Sequence, residues 1–383
     1  MLYTSVITID KSALANNIRF LKTLYGKNRR ISSVIKANAY GHGIEQFIPI
    51  CEETGIDHFS VFSSDEAYRA YQVKNKETDL MIMGWMDDEE MEWIISKGIE
   101  FYVFDTGRLM KAIEISKKIN IPSKIHIELE TGLNRTGFEQ SVLPGIIEII
   151  NKNKEFLTIK GICTHYAGAE SIANHFRVMQ QLKKYRQYYE LFFRNGIVPE
   201  YMHTACSAAS ITYPKTRMDL LRIGILQYGY WPSAETFIQY INRRKIKTDP
   251  LKRIITWKSK VMSVKKVNRG EFIGYGTTFL AQEDKTIAII PIGYGHGYSR
   301  SLSNQGRVLI KGQRVGVIGV VNMNMLVADI TKIPQVEKGD EVVLIGKQGE
   351  LVLTIASFSE LSNQLNYELL TRLPASIPRE IVG

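Results

Sequence analysis

Cysteine is scarce in this chain of 383 residues, and its three copies, Cys51, Cys163 and Cys206, are widely spaced. An odd, unpaired set excludes a disulfide framework and the usual zinc-site spacings. Long apolar runs are also missing, since none approaches the ~18 residues that a membrane helix needs. The first apolar run is broken by Asp10 and Lys11, which argues against a signal peptide. We therefore expect a cytoplasmic protein without a metal site or membrane span.

Positive charge is in modest excess, with 49 Lys and Arg against 39 Asp and Glu and a formal net charge of +10. The basic residues cluster only briefly, at 27–30 and 243–247, without interleaved aromatics or a recognisable nucleic-acid-binding module. A solvated basic surface is therefore favoured over nucleic-acid binding. The length leaves room for a barrel of roughly 250 residues and a smaller domain.

Short apolar runs alternate with longer amphipathic stretches from about residue 31 to residue 229. Repeated βα units predict parallel strands, and eight of them predict a closed (β/α)8 TIM-type barrel, with an open doubly wound sheet as the alternative. The candidate strands are 32–39, 58–64, 80–85, 101–104, 124–130, 159–165, 201–207 and 221–229.

The pattern changes after about residue 230, and beyond a polar connection at 242–250 come strand-like runs punctuated by glycine, with one predicted helix at 354–365. These runs predict a β-rich second domain. The predicted fold is therefore α/β, with a barrel domain at 1–240 and a β-rich C-terminal domain at 241–383.

The run KIHIELE alternates cleanly, which places His126, Glu128 and Glu130 on one face of the strand 124–130. Helices cover the outside of such a barrel, so this polar face should point into the lumen. We expect chemistry near its catalytic end.

Lys36 stands in the apolar segment SSVIKANAYGHG. A lysine inside a strand is costly unless it is paired or has a task, and burial lowers its pKa toward that of a reactive amine. Spacing alone leaves open a lysine at a strand end that reaches solvent. The stretch VIKANAYGHG, however, resembles the cofactor-lysine segment of alanine racemases, a family with a fold-type III barrel and a β-rich C-terminal domain. The resemblance implies that Lys36 binds pyridoxal 5'-phosphate covalently and that Tyr40 contacts its phosphate.

Further segments resemble the same family in the same order. ELETGLNRTGF implies that Arg135 lies near the substrate carboxylate, and GICTHYAGAE implies that His165 lies beside the cofactor ring. Many relatives carry a modified lysine where this chain has Glu128. Our hypothesis is that Glu128 braces Arg135 without modification.

Two more segments complete the barrel part of the resemblance. HTACSAAS implies that Ser207 contacts phosphate, with Cys206 as tolerated packing in place of the usual asparagine. LRIGILQYG implies that Arg222 contacts the pyridine nitrogen and that the amides of Gly224 and Ile225 contact phosphate. An arginine can only donate to that nitrogen, which disfavours side reactions.

Tyr275, in FIGYGTTF, matches a family tyrosine that reaches into the active site of the partner subunit. Racemisation removes a proton from one face of the α-carbon and returns it on the other, so one base cannot easily suffice. The resemblance implies Lys36 and Tyr275 as the two catalytic bases, in a homodimer with shared active sites.

The resemblance places the substrate between residues of the second domain. Tyr294 lies near the substrate carboxylate, the backbone amide of Met323 binds it, and Tyr367 contacts phosphate and closes the pocket against large side chains. The chain departs from the family pattern at four nearby positions: Val320, Asn322, Asn324 and His296.

The function that follows from the resemblance is a racemase that interconverts L- and D-alanine and supplies D-alanine for peptidoglycan. A broad-specificity or serine racemase is the nearest alternative. A fold-type III amino-acid decarboxylase would need an acidic residue at the position of Arg222, and a cofactor-binding barrel without turnover would lack the Tyr275 segment.

Overall fold

The computed structural model describes residues 3–355 and 366–383. The chain forms two compact units, one made of 13–37 and 47–253 and the other of 1–12, 38–46 and 254–383. The domain ranges 1–240 and 241–383 stay a prediction. The helix predicted at 354–365 lies almost wholly outside the described residues. Within the described residues, no helix is long and apolar enough to cross a membrane.

The first strand, β1 (Ser5–Asp10), belongs to the sheet of the C-terminal unit, and the next eight form a barrel. These are β2 (Arg30–Val34), β3 (His58–Val61), β4 (Asp79–Ile82), β5 (Glu100–Val103), β6 (Ser123–Glu128), β7 (Leu157–Cys163), β8 (Tyr201–His203) and β9 (Leu220–Ile223).

All eight barrel strands are parallel, in the order β8-β7-β6-β5-β4-β3-β2-β9. A parallel bridge between Cys206 and Arg222 joins the two ends of this order, beside a hydrogen bond from Asp219 N–H to Met202 O of 3.1 Å. The TIM-type barrel is therefore confirmed, and the open sheet is wrong.

Helices form where apolar residues recur at helical spacing. In Leu143–Lys152 the buried positions are Leu143, Ile146, Ile147 and Ile150, a stripe of one face. The α-helices are Lys11–Tyr25, Ile44–Glu52, Ser64–Val73, Met91–Ser96, Thr106–Ile119, Leu143–Lys152, His175–Arg194, Ser207–Thr212, Ala234–Asn242 and Asn366–Thr371.

The predicted strands extend beyond the carboxyl ends of the observed strands. The strand predicted at 32–39 ends at Val34, because Ala37 to Tyr40 adopt positive φ angles that no strand tolerates. The strand predicted at 221–229 ends at Ile223, where a 3-10 turn begins two residues later. Lys36 therefore follows a strand and does not lie within one, which corrects the prediction.

The C-terminal unit is confirmed as β-rich. Its strands besides β1 are β10 (Ile255–Lys260), β11 (Ser263–Val267), β12 (Lys285–Ile290), β13 (Arg307–Ile310), β14 (Gln313–Ile318), β15 (Leu326–Asp329), β16 (Glu341–Gln348), β17 (Leu351–Leu353) and β18 (Arg379–Val382). The sheet runs β11-β12-β15-β14-β13-β16-β10-β1-β18, with β17 paired to β16. Lys311 and Gly312, both at positive φ, make the two-residue turn of one hairpin.

Candidate active site

Lys36 begins a left-handed turn, Lys36–Tyr40, directly after β2. The φ angles from Ala37 to Tyr40 are 53°, 56°, 53° and 51°, all in the left-handed region. Such a conformation costs about 1–2 kcal/mol for each residue other than glycine, so neighbouring contacts must hold it. His42 provides two of them, since its Nδ1–H donates to Ala39 O at 2.9 Å and to Tyr40 O at 3.0 Å. Lys36 is thus followed by four residues in a strained backbone conformation.

The Lys36 side chain opens into a cavity of about 310 Å³. The other lining residues are Ala37, Phe62, Ser63, Asp65 and Glu66. Desolvation, followed by the positive charge of Arg135, lowers the pKa of Lys36. Its amine is therefore easier to deprotonate than a surface lysine, as a base or a nucleophile requires.

Arg222 lies deep in the barrel, with only 4% of its surface exposed. Its Nη1 donates to His203 Nδ1 at 2.5 Å and to His203 O at 2.9 Å, and its Nη2 donates to Thr164 O at 2.8 Å and Thr204 O at 3.2 Å. These bonds use all four terminal N–H groups. Across 3–355 and 366–383, no protein acceptor takes the Nε–H, so it is the one donor left for a ligand.

Ser207 and Gly224 lie together, because Gly224 N–H donates to Ser207 Oγ at 3.0 Å. Ser207 begins the helix Ser207–Thr212, and Ile225 begins a 3-10 turn. A hydroxyl beside two helical N-termini is a donor set suited to a phosphate. Cys206 precedes the helix and is half-buried.

His165 is half-buried near three cations. Burial, and then the charges of Arg222, Arg135 and Lys36, lower its pKa to about 3, so the imidazole is neutral at physiological pH. It can therefore pack beside an aromatic ring without adding charge.

The loop that carries Arg135 is held by Glu130, whose carboxylate accepts the N–H groups of Asn134 at 2.9 Å and Arg135 at 3.3 Å. Glu128 is buried, and burial raises its pKa, opposed first by a hydrogen bond from Thr136. In the described part of the chain no ion pair joins Glu128 to Arg135, so the hypothesised direct brace is not formed.

The C-terminal unit contains a second cavity, of about 410 Å³. It brings together three predicted site residues, Tyr275, Tyr294 and Met323. The other lining residues are Arg300, Val320, Val321, Asn322, Asn324 and Met325. Three of the four departures from the family pattern therefore line this cavity. Sequence reasoning missed Arg300, although it is the last residue of the segment IPIGYGHGYSR.

Gly293 allows its backbone to pack closely against the backbone of Asn322 and Met323 in this cavity wall. A Cβ on Gly293 would lie 2.0 Å from Asn322 O and 2.5 Å from Met323 O. The next two amides bind the same segment, with Tyr294 N–H donating to Asn322 O and Gly295 N–H to Met323 O, both at 2.9 Å. Tyr294 is thereby fixed beside Met323.

Tyr40 and Tyr367 meet in the C-terminal unit, with ring centroids 6.4 Å apart at an interplanar angle of 72°. Gly41 follows at φ +80°, where a Cβ would lie 2.0 Å from Leu370 O. The two tyrosines predicted to contact phosphate are thus neighbours.

Sequence reasoning also missed a polar cluster inside the barrel. His58, Glu100, His126 and His203 are fully buried and hydrogen-bonded to one another, and the chain of contacts reaches Arg222. The available signal was a charged or imidazole side chain in otherwise apolar strands. Only the lumen-facing position of His126 was predicted.

Comparison with known proteins agrees with this architecture. Residues 9–232 match the family described as "Alanine racemase, N-terminal domain", and residues 254–381 match "Alanine racemase, C-terminal domain". A protein of Leptospira interrogans named alanine racemase is 32% identical, over 99% of this chain and 96% of its own length.

Solved structures are similar over the whole fold. The alanine racemase of Clostridium difficile 630 superposes with a TM-score of 0.90 at 27% identity, covering 100% of this chain and 96% of that chain. The alanine racemase of Bacillus anthracis with bound L-Ala-P gives a TM-score of 0.90 at 26% identity, with the same coverage.

These matches, the barrel and the β-rich unit define an isomerase of amino acids. The chain belongs to the alanine racemase family. The resemblance stated from the sequence is therefore confirmed, as are the predicted enzyme class and function at the level of the family.

Proposed function

We propose that the chain interconverts L- and D-alanine with pyridoxal 5'-phosphate as its cofactor, by a two-base mechanism. The observation that carries the proposal is the hydrogen bonding of Arg222. Four of its N–H groups are bound by the protein, and Nε–H remains as a donor that can never accept a proton. A decarboxylase of this fold would need an acidic group there, so this arginine favours racemisation.

The donor set of the barrel suits the cofactor. Lys36 would bind it covalently, and Arg222 Nε–H would meet its ring nitrogen. Once bound, the cofactor withdraws electrons from the substrate α-carbon and so acidifies the α-proton. The remaining cofactor contacts would come from Tyr40, His165, Ser207, Gly224, Ile225 and Tyr367.

Lys36 would serve as one base. Its lowered pKa leaves more of the amine free to accept a proton near neutral pH. It would transfer the proton on one face of the α-carbon.

Tyr275 would serve as the second base, on the opposite face and in a second copy of the chain. Its side chain is 73% exposed, as expected of a residue whose target lies in another protomer. We therefore propose a homodimer in which each site is completed by the other chain's Tyr275. A fully active monomer would contradict this.

Recognition of the substrate would rest on its carboxylate and its small side chain. Arg135 supplies a permanent positive charge, and the Met323 amide supplies a backbone donor beside Tyr294. Tyr367 would limit the side chain to about the size of a methyl group. D-alanine for peptidoglycan, made in the cytoplasm, is the biological role that we propose.

The decisive experiment follows chirality and α-hydrogen exchange together. The purified chain with pyridoxal 5'-phosphate is incubated with L-alanine, L-serine or L-lysine in deuterated buffer. We expect L-alanine to racemise fastest, with deuterium at the α-carbon. Serine as the better substrate would favour the alternative racemase, and release of carbon dioxide from lysine without racemisation of alanine would refute the proposal.

Tyr275→Phe tests the second base. Loss of one hydroxyl should lower kcat/KM by the same factor in the L-to-D and D-to-L directions, because the two enantiomers are equally stable. It should lower kcat to a different extent in each direction, because each direction uses the two bases in the opposite order. The control is Tyr189→Phe, on the helix His175–Arg194, which should leave both directions alike.

A further inference from the structure

A line of buried polar side chains crosses the barrel lumen from Arg222 to Glu100. His203 of β8 and His126 of β6 lie between these two residues, and all four are buried. β6 and β8 are not neighbours in the sheet, since β7 separates them. Their contact therefore passes through the lumen.

Each contact along the line is a hydrogen bond. Arg222 Nη1 to His203 Nδ1 is 2.5 Å, His203 Nε2 to His126 Nδ1 is 2.8 Å, and His126 Nε2 to Glu100 Oε2 is 2.8 Å. A branch runs from Glu100 Oε2 to His58 Nε2 at 3.1 Å.

The chemistry of the two ends fixes where the protons lie. Arginine only donates, so His203 Nδ1 must accept and His203 Nε2 must carry the proton. His126 Nδ1 then accepts, and its Nε2–H donates to Glu100, which as a carboxylate only accepts. Arg222 at one end and Glu100 at the other therefore require the same proton positions on the two neutral imidazoles. Each hydrogen bond in the line then joins one donor to one acceptor.

The electrostatics agree with this proton arrangement. Burial lowers the pKa of His126 and of His203, so both stay neutral. Burial alone would raise the pKa of Glu100, but hydrogen bonds from His126 and His58 lower it overall, so the carboxylate stays ionised. Lys160 Nζ, 3.3 Å from Glu100 Oε1, adds a countercharge.

A glycine makes room for the line. A Cβ on Gly161 of β7 would lie 2.2 Å from His126 Nδ1 and 2.6 Å from His203 Nε2, directly at their hydrogen bond. The pairing of β6 with β7 also shifts by one residue here, from Ile125 opposite Ile159 to His126 opposite Gly161. This bulge brings both Lys160 and Gly161 to the cluster. The backbone is thus arranged around the contact between the two rings.

A metal site is the other use of clustered histidines, and the geometry argues against it. Both nitrogens of His126 are already directed at His203 and Glu100, so the lone pairs do not converge on a common point. Among the described residues, no group of three or more His, Cys, Asp or Glu is arranged to hold a metal ion.

We propose that Glu100 is a positioning residue for Arg222, acting through His126 and His203. The inference rests on the proposed function in one respect, the contact of Arg222 with the cofactor ring nitrogen. The carboxylate polarises the two imidazoles, which makes His203 Nδ1 a stronger acceptor for the guanidinium. Arg222 is thereby held with its Nε–H directed at the cofactor site.

The first test locates the protons. Histidine-selective ¹⁵N NMR is recorded on the full chain, with and without pyridoxal 5'-phosphate, and only seven histidines need assignment. We expect His126 and His203 to carry their proton on Nε2. Glu100→Gln should shift the ¹⁵N resonances of both rings. His58→Gln removes only the branch and should leave the ¹⁵N resonances of His203 unchanged. The proposal is wrong if either ring carries its proton on Nδ1, or if the ¹⁵N resonances of His203 do not change in Glu100→Gln.

The second test asks whether Glu100→Gln and Gly161→Ala affect kcat through the same line of hydrogen bonds. Glu100→Gln and Gly161→Ala should each lower kcat about tenfold with little change in KM for alanine, as partners that orient a ligand-binding side chain do. The double variant should be no slower than the slower single variant, because residues of one network are not additive. Gly145→Ala, where a Cβ meets nothing within 4 Å, is the matched control and should leave kcat unchanged.

If the kcat losses of the two single variants multiply in the double variant, Glu100 and Gly161 act independently, and the proposal of one connected line is wrong. An inactive wild-type chain would contradict the proposed function, and the ¹⁵N resonances would still decide whether the line exists. The two hypotheses can therefore fail separately.

Discussion

Replacing Ala37 by glycine should stabilise the protein, although the same change is normally destabilising in a helix. Ala37 has a φ of 53° and an exposed side chain, so the substitution releases strain and removes no packing. The left-handed conformation costs an L-residue about 1–2 kcal/mol, while the added chain entropy of glycine costs about 0.5–1 kcal/mol. The net expectation is a gain of about 0.5–1 kcal/mol in the free energy of unfolding.

Ala15→Gly is the matched control, because Ala15 lies in the right-handed helix Lys11–Tyr25 and is half-buried. Glycine there should lower the free energy of unfolding by about 1 kcal/mol. Scanning calorimetry of the cofactor-free chain should give shifts in Tm of about 2–4 °C per kcal/mol, opposite in sign for the two variants. Removing the cofactor avoids its own stabilisation of the folded state.

Equal destabilisation by the two glycines would refute the reasoning, because it would mean that Ala37 does not occupy the left-handed region in solution. A third variant, Ala37→Val, sharpens the test. A β-branched side chain is poorly tolerated at positive φ, so Ala37→Val should be less stable than the wild type. The order of stability should be Gly, then Ala, then Val.

Three other outcomes follow from the structure. Gly229→Ala places a Cβ 2.1 Å from Lys252 O at φ +88° and should cost more than about 2 kcal/mol in urea unfolding, whereas Gly26→Ala, at φ +80° in open space, should cost only about 1 kcal/mol. Burial lowers the pKa of His42 to about 4, so the unfolded chain binds this proton first and stability falls as the pH drops from about 6.5 to 4. The loss is about 3 kcal/mol, and a His42→Gln variant should lack it when urea midpoints are compared across that range. Gly293→Ala should raise KM for alanine more than it lowers kcat, since its Cβ would displace the Met323 segment; steady-state racemisation rates will show the difference.

The barrel was predictable from the sequence because eight apolar runs separated by helix-length segments admit few other arrangements. The carboxyl ends of the strands were not, and Lys36 shows why. Glycine usually marks positive φ in a sequence, but Ala37 to Tyr40 adopt it without glycine. Only the contacts of the folded turn, such as those of His42, hold that conformation.

Resemblance to a family located the second cavity, where Tyr275, Tyr294 and Met323 meet. It could not reveal the polar line in the lumen. Glu100 and His203 are about a hundred positions apart along the chain, and they are joined only because barrel closure and the one-residue shift beside Gly161 bring their strands into register. Neither feature has a local signature in the sequence.

The barrel residues and the C-terminal residues of the proposed function differ in how they are held, and this difference predicts where substitutions should be tolerated. Arg222 sits in a lumen where its four terminal N–H groups are bound, and one of their acceptors is the His203 side chain, so a change at His203 leaves a buried donor unsatisfied. Val320, Asn322 and Asn324 line an open cavity in which the proposed substrate contact is a backbone amide, that of Met323. Side chains can vary there while the amide stays in place. Variation at the cavity wall should therefore tune substrate range or rate, whereas variation among the side chains that hold Arg222 should lower kcat.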